Sequence, residues 1–334
     1  MSAGSAKASL GNDQVTLKVE GLKKYFPVHR GFLQRVSGWV KAVDGVDFEV
    51  LQGKTLGLVG ESGCGKSTVA RLILRLLEPD GGRVIYRGSD ITRLSEKEMK
   101  PLRKEMQIVF QDPFGSLNPR MTVGQSIEEG LRILGMPRPQ RKERTRELLE
   151  MVGISGSNAD RYPHEFSGGQ RQRIGVARAL SVEPSLIICD EPISALDVSI
   201  QAQIINLLED LREQLGLSYI FISHDLNVVS YLSDRVAVMY LGHIMEYASA
   251  DELFENPLHP YTLALLSAVP VAKPGQDVEI KSLGGDVPSP LDPPPGCKFQ
   301  GRCPLVEERC RLEEVAFWEP GGGHQVRCWK VGEG

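Results

Sequence analysis

No stretch of the sequence approaches the roughly 18–20 consecutive apolar residues that a membrane helix needs, so the chain carries no pore of its own. Its first residues, MSAGSAKASLGND, lack the apolar core of a secretory signal and read as a polar, disordered lead-in. Both absences point to a cytosolic setting. A basic excess is missing too: 39 Lys and Arg face 43 Asp and Glu, for a net charge of −4 and a pI near 6.0. That balance argues against nucleic acid as the partner, a local basic patch aside. Cysteine is scarce, six in 334 residues, and the cytosol makes a disulfide framework a poor reading of them. No internal repeat of solenoid length is present.

What remains is an ordinary globular composition, 41% hydrophobic and 25% charged, long enough for two domains or one large domain with appendages. VTLKVEGL and KAVDGVDFEV, near the start, alternate as strands do. HRGFLQRVSGWV between them is basic and apolar together, which fits a surface loop or hairpin, or a contact with a partner or a membrane face. KTLGLVG reads as a strand entering a Gly-rich turn, and STVARLILRLL as the helix that follows. From about residue 113 to 165 the pattern becomes helical and charged, most clearly in RKERTRELLEMVGI. SLIICDE and SYIFISHD are short, nearly continuous apolar runs, as expected of parallel strands buried on both faces. The amphipathic stretch AQIINLLEDLREQLG lies between them and should end at Gly216. The alternation predicts an α/β core with a helical insertion. Regular periodicity fades after about 255, where Pro and Gly become dense.

GESGCGKST, Gly60 to Thr68, fits the phosphate-loop pattern G-x-x-x-x-G-K-[ST] between a strand and a helix. Gly60, Ser62, Gly63, Cys64 and Gly65 would turn successive N–H groups inward around phosphate oxygens, and the helix start adds positive potential. Lys66 would reach the β- and γ-phosphates, and Ser67 would ligate Mg²⁺. LIICDE supplies the acidic partner at a strand end. Asp190 would hold Mg²⁺, directly or through water, and Glu191 would polarise the attacking water. FSGGQRQRIGVARAL, from Phe166 to Leu180, has an N-cap serine and two glycines opening a helix. It builds a second anion site, for which the first has no obvious need.

With SGGQ, Ser167, Gly168, Gly169 and Gln170, the chain resembles the ATP-binding cassette ATPases over about 240 residues. The resemblance implies a P-loop NTPase fold with a parallel-sheet core, an antiparallel β subdomain and a helical subdomain. It also implies that SGGQ caps the nucleotide of a second cassette, so that two ATP are sandwiched between two such domains. By the same resemblance, Tyr25 of LKKYF stacks on adenine, with Phe26 as the alternative. Gln111 of VFQDP senses Mg²⁺ and the transmembrane partner. Asp197 of SALD crosses the dimer interface, and His224 of ISHD contacts the γ-phosphate. The implied boundaries are a lead-in at 1–14, an ATPase domain at 15–255 with its helical subdomain at about 113–180, and an extension at 256–334.

The tail narrows the resemblance. NPLHPYTLALLSAVP and PPPGCKFQGRCP, with QDPFGSLNPRMTVGQSI and the long loop after Tyr25, are similar to the dipeptide and oligopeptide importer ATPases, and most to the second ATPase subunit of a bacterial dipeptide importer. That implies a paralogous ATPase subunit, two permease subunits and an extracytoplasmic peptide-binding protein as partners, at the cytoplasmic face of the inner membrane. Nickel importers share the architecture, and a soluble regulatory or repair ATPase with a metal-sensing tail is the rival class. Cys297, Cys303, Cys310 and Cys328 are spaced C-x5-C-x6-C-x17-C, without the tight pair that usually opens a zinc site. Four thiolates are the usual complement of an iron–sulfur cluster. The importer resemblance implies a [4Fe–4S] cluster there, with zinc as the alternative. Cys64 and Cys189 belong to the nucleotide motifs.

Overall fold

A computed structural model describes residues 14–30, 35–268, 288–291 and 293–331. The lead-in expected to be disordered falls outside them, except for Gln14. β1 (Val15–Arg30) and β2 (Arg35–Leu51) pair antiparallel along their whole length. The basic and apolar segment between the first two predicted strands is therefore part of a hairpin, whose tip at 31–34 lies outside the described residues. β2 leads through a turn to β3 (Thr55–Val59). β4 (Gly81–Tyr86) and β5 (Ser89–Asp90) return beside β1, giving an antiparallel sheet in the order β2-β1-β4-β5.

The larger sheet adds β6 (Met106–Val109), β7 (Leu186–Asp190), β8 (Ser218–Ser223), β9 (Arg235–Tyr240) and β10 (His243–Ser249). It continues with β11 (Trp318–Gly321) and β12 (His324–Val326), in the order β11-β12-β10-β9-β3-β8-β7-β6. The five strands from β9 to β6 are mutually parallel. The apolar runs of β7 and β8 explain their central place. Leu186 and Ile188 belong to one buried core, Ile187 and Cys189 to the other. Each face is covered, and each such side chain contributes about 1.5–3 kcal/mol on burial.

The helical insertion consists chiefly of the helices Val123–Ile133, Arg138–Met151 and Gly168–Leu180. The helix Val198–Leu215 ends at Gly216, whose φ of 65° supplies the left-handed cap anticipated there. Order continues past 255, contrary to the fading periodicity. A helix spans Pro260–Ser267, and its sequence PYTLALLS is apolar nearly all round, which hides a helical period. β12 pairs with β10, Glu246 facing Val326, so the Cys-bearing segment extends the ATPase sheet edge.

Candidate nucleotide site

The loop after β3 wraps the start of the helix Lys66–Ile73. Its tightness demands glycine at two points. Gly60 and Gly65 have φ of 150° and 113°, and a Cβ on them would lie 2.1 Å from Met239 O and from Ala42 O. Residues 62–68, with Gln111 and Glu191, line a cleft of about 220 Å³. Lys66 is buried, and its Nζ donates to Gly60 O at 2.7 Å and Glu61 O at 3.0 Å.

The predicted acidic residues arrive at the same place. Ser67 Oγ donates to Asp190 Oδ1 at 2.9 Å. Burial pushes the Asp190 carboxyl up, partly offset by that hydrogen bond. The chain turns sharply after β7, where Glu191 takes a φ of 47°. Gln111 Nε2 donates to Glu191 Oε2 at 3.0 Å, and His224 Nδ1 lies 3.5 Å from the same oxygen. Three of the motifs line one cleft, through residues 62–68, Gln111 and Glu191, while Asp190 reaches it through Ser67 and His224 stands beside Glu191. The residues fit a magnesium nucleotide: a tight glycine loop at a helix start, one buried ammonium, a hydroxyl–carboxylate pair for the metal and a carboxylate beyond it.

Other predicted residues sit elsewhere. Tyr25 is opposite Lys41 in the β1–β2 hairpin, and its hydroxyl donates to Asp44 Oδ1 at 2.5 Å. Burial and that bond raise the Tyr25 hydroxyl above its ordinary value. Lys41 lines the cleft and Tyr25 does not; Phe26 stands opposite Val40, another lining residue. Ser167 caps the helix Gly168–Leu180, its Oγ accepting from Gln170 N while Gln170 Oε1 accepts from Ser167 N. Gly169 packs so closely on Ile200 that a Cβ would come within 2.4 Å of it. That contact ties SGGQ to the helix that Asp197 begins. Neither SGGQ nor Asp197 lines the cleft of its own chain. Sequence reasoning missed Val40, Lys41, Ala42, Leu241, Gly242 and Pro290 as lining residues. They come from the hairpin, the β9–β10 turn and the tail, and carry no motif.

Cys297, Cys303, Cys310 and Cys328 all line one cavity of about 20 Å³ beside His259. The cysteines remain thiols, none in a disulfide. Burial pushes the Cys297 thiol up to about 11, with the nearby Cys303, Cys310 and Cys328 adding to the rise. Burial likewise raises Cys303 and Cys328. Opposing it, backbone N–H groups of Phe299, Leu305 and of Lys330 and Val331 bond to Cys297, Cys303 and Cys328. Among the described residues, no group of three or more His, Cys, Asp or Glu has a geometry that could hold a metal ion.

Comparison with known proteins matches residues 43–194 to the ABC transporter family and residues 245–310 to the family "Oligopeptide/dipeptide transporter, C-terminal region". The chain is 53% identical to the oligopeptide transport ATP-binding protein AppF of Bacillus subtilis, over 95% of this chain and 98% of that protein. Among solved structures, it is similar to cbiO1 of Clostridium perfringens, part of the ABC transporter complex cbiONQ, with TM-score 0.63, 29% identity, and coverage of 73% of this chain and 92% of that one. It is also similar to the dimeric ATP-binding cassette MJ0796 in a post-hydrolysis state with ADP and Pi, with TM-score 0.61, 27% identity, and coverage of 70% and 98%. Among the described residues no helix is long and apolar enough to cross a membrane. The cleft geometry and these similarities agree: the chain belongs to the ABC transporter ATPases, in the group that carries the oligopeptide/dipeptide transporter C-terminal region.

Proposed function

We propose that this ATPase drives uptake of dipeptides or oligopeptides from the cytoplasmic face of a bacterial inner membrane. The observation that carries the chemistry is one cleft lined by Lys66, Ser67, Gln111 and Glu191, with Asp190 hydrogen-bonded to Ser67 and His224 beside Glu191. Lys66 leaves the loop carbonyls for the β- and γ-phosphates. Ser67 and Asp190 would hold Mg²⁺, with Gln111 as its sensor, and the ion would supply charge stabilisation at the phosphate oxygens. Glu191 accepts the proton of the attacking water, and His224 stabilises charge on the γ-phosphate. The adenine stacks on the Tyr25 side of the hairpin.

Ser167, Gly168, Gly169, Gln170 and Asp197 complete the site of a second cassette. Their separation from the cleft supports that reading, as does the dimeric state of the similar cassette MJ0796. The second cassette is a paralogous ATPase subunit, the pair works under two permease subunits, and an extracytoplasmic binding protein delivers the peptide. Domain boundaries at 15–255 and 256–334 suit this division of labour. The peptide cargo rests on the match at residues 245–310 and on relatives such as AppF.

Cys297, Cys303, Cys310 and Cys328 hold a [4Fe–4S] cluster, with a structural or redox-regulatory role. Four thiols around one cavity fit it, as do the amides aimed at three of the sulfurs. The metal would keep those thiols deprotonated.

The test is expression with the candidate permeases and binding protein, co-purification from detergent, and uptake of labelled peptides. Lys66→Ala is expected to abolish hydrolysis and uptake together. Uptake that persists in Lys66→Ala, or a chain that never associates with membrane subunits, overturns the reading.

A further inference from the structure

Glu61 occupies the second position of the phosphate loop, and one guanidinium from far along the chain takes both of its carboxylate oxygens. Arg302 Nη1 donates to Oε2 at 2.7 Å and Nη2 to Oε1 at 3.0 Å, across 241 residues of sequence. The Arg302 side chain is 5% exposed and that of Glu61 24%. Bidentate pairing of this kind fixes orientation as well as distance. The backbone of Glu61 is gripped as well. Its N–H donates to the Tyr261 hydroxyl at 3.0 Å, and its carbonyl accepts from Lys66 Nζ at 3.0 Å.

Both outside contacts come from the C-terminal part of the chain, and they share a base. Tyr261 is fully buried against Phe299 and Tyr240, with ring centroids 5.3 and 4.7 Å away. Arg302 lies 5.9 Å from the Tyr240 ring centroid, and its own N–H donates to Phe299 O at 3.0 Å. The charge pairing has a direct consequence. A carboxylate inside a loop that gathers phosphate oxygens repels them unless a cation neutralises it.

We propose that Arg302 is a positioning residue of the nucleotide site: acting through Glu61, it holds the phosphate loop in its binding shape and cancels the loop's own negative charge. The C-terminal segment thereby sets the affinity for ATP. This rests on the reading of residues 60–68 as the ATP site.

The experiment uses the full-length chain, purified without oxygen, alone and in the assembled transporter. Binding of MgATP and the kinetic constants are measured for Arg302→Gln, Arg302→Lys and the double variant Glu61→Gln/Arg302→Gln. Arg302→Gln is expected to raise Kd and KM about tenfold, the scale of one charge-assisted hydrogen bond, with kcat nearly unchanged. Arg302→Lys should fall between, since it keeps the charge and loses the fork. Adding Glu61→Gln to Arg302→Gln should recover part of the affinity, because the unpaired carboxylate is gone. A purely structural role predicts no recovery, because the second change removes a partner whose contact is already lost. Wild-type Kd and KM in Arg302→Gln, or a double variant that binds no tighter than Arg302→Gln, overturns the proposal. If Arg302→Gln does not fold, Arg302→Lys decides alone: wild-type affinity there also overturns it. Lys66→Ala is the control, and unaltered ATP binding in it means that the site assignment has failed, not the clamp.

Discussion

Ser67 and Asp190 stand 123 residues apart in the chain and meet at 2.9 Å, the hydroxyl donating to the carboxylate. This bond docks the phosphate-loop helix on the end of β7 and joins the two oxygens proposed to hold Mg²⁺. Asp190→Asn keeps the shape and removes the charge. The Mg²⁺ concentration needed for half-maximal hydrolysis is expected to rise about 10–100-fold, the scale known for partners of a metal site. A Mg²⁺ titration of ATPase activity checks this, and an unshifted curve removes Asp190 from the metal site.

Glu191 stands next in the chain, but its backbone φ of 47° turns it to the opposite task. Gln111 and His224 both approach its Oε2, an arrangement that suits the proposed role of Glu191 as the base for the attacking water. Glu191→Gln retains hydrogen bonding and loses basicity. Single-turnover hydrolysis should slow by about 10²–10⁴ while ATP still binds, and the dimer with the second cassette should accumulate in its closed form. Wild-type single-turnover rates would take the role of base away from Glu191.

These two carboxylates were legible in the sequence because their motif is local: an apolar run that must be a buried strand, ending in Asp and Glu. Lys66 and Ser67 were legible for the same reason. The parallel core followed from SLIICDE and SYIFISHD, whose lack of alternation is itself the signal of burial on two faces. What stayed hidden depends on contacts between distant segments. Nothing local to Arg302 says that it meets Glu61, nor that Pro290 lines the nucleotide cleft. The antiparallel match of His324–Val326 to β10 is equally silent, because three residues are too few to show a period. Tyr25 stands out in the sequence by its ring and its place in the chain. Its partner Asp44 becomes visible only once β1 and β2 are folded against each other.

The four-cysteine cavity can be read directly. Protein purified without oxygen is expected to carry iron and sulfide in equal amounts, about four of each as the composition of a [4Fe–4S] cluster requires, with thiolate-to-iron charge-transfer absorbance. Cys303→Ala should lose most of the iron, whereas Cys189→Ala, in the buried β7, should keep it. Stoichiometric zinc without iron would replace the cluster with a zinc site. A metal-free, ordered tail would dismiss both.

His259 supplies the pH test. It is buried at the N-terminus of the helix Pro260–Ser267, where its Nδ1 accepts from Tyr261 N at 3.0 Å. Burial pushes its pKa down from 6.5 to about 4, against the pull of the nearby Glu246 carboxylate. A proton on Nδ1 would confront the Tyr261 N–H, so the fold selects the neutral ring. Above pH 6.5, the ordinary value, this histidine contributes its full share to stability. As pH falls toward 4 the unfolded chain takes up the proton first, and about 3 kcal/mol is lost. Below about 4 the folded form is protonated as well and the loss levels off. His243, lowered to about 3 chiefly by burial, acts in the same direction. His324 acts in the opposite one: burial is the largest single influence and opposes its charge, but the hydrogen bonds and charges of Glu246 and Glu252 together outweigh it and raise its pKa, so its share is lost as pH rises. His259→Asn keeps a helix cap and has no proton to gain. Its urea midpoint should start lower at neutral pH and fall less between pH 6.5 and 4, with His243 left to supply the remaining slope. An unchanged pH slope in His259→Asn would show that acid enters the fold elsewhere.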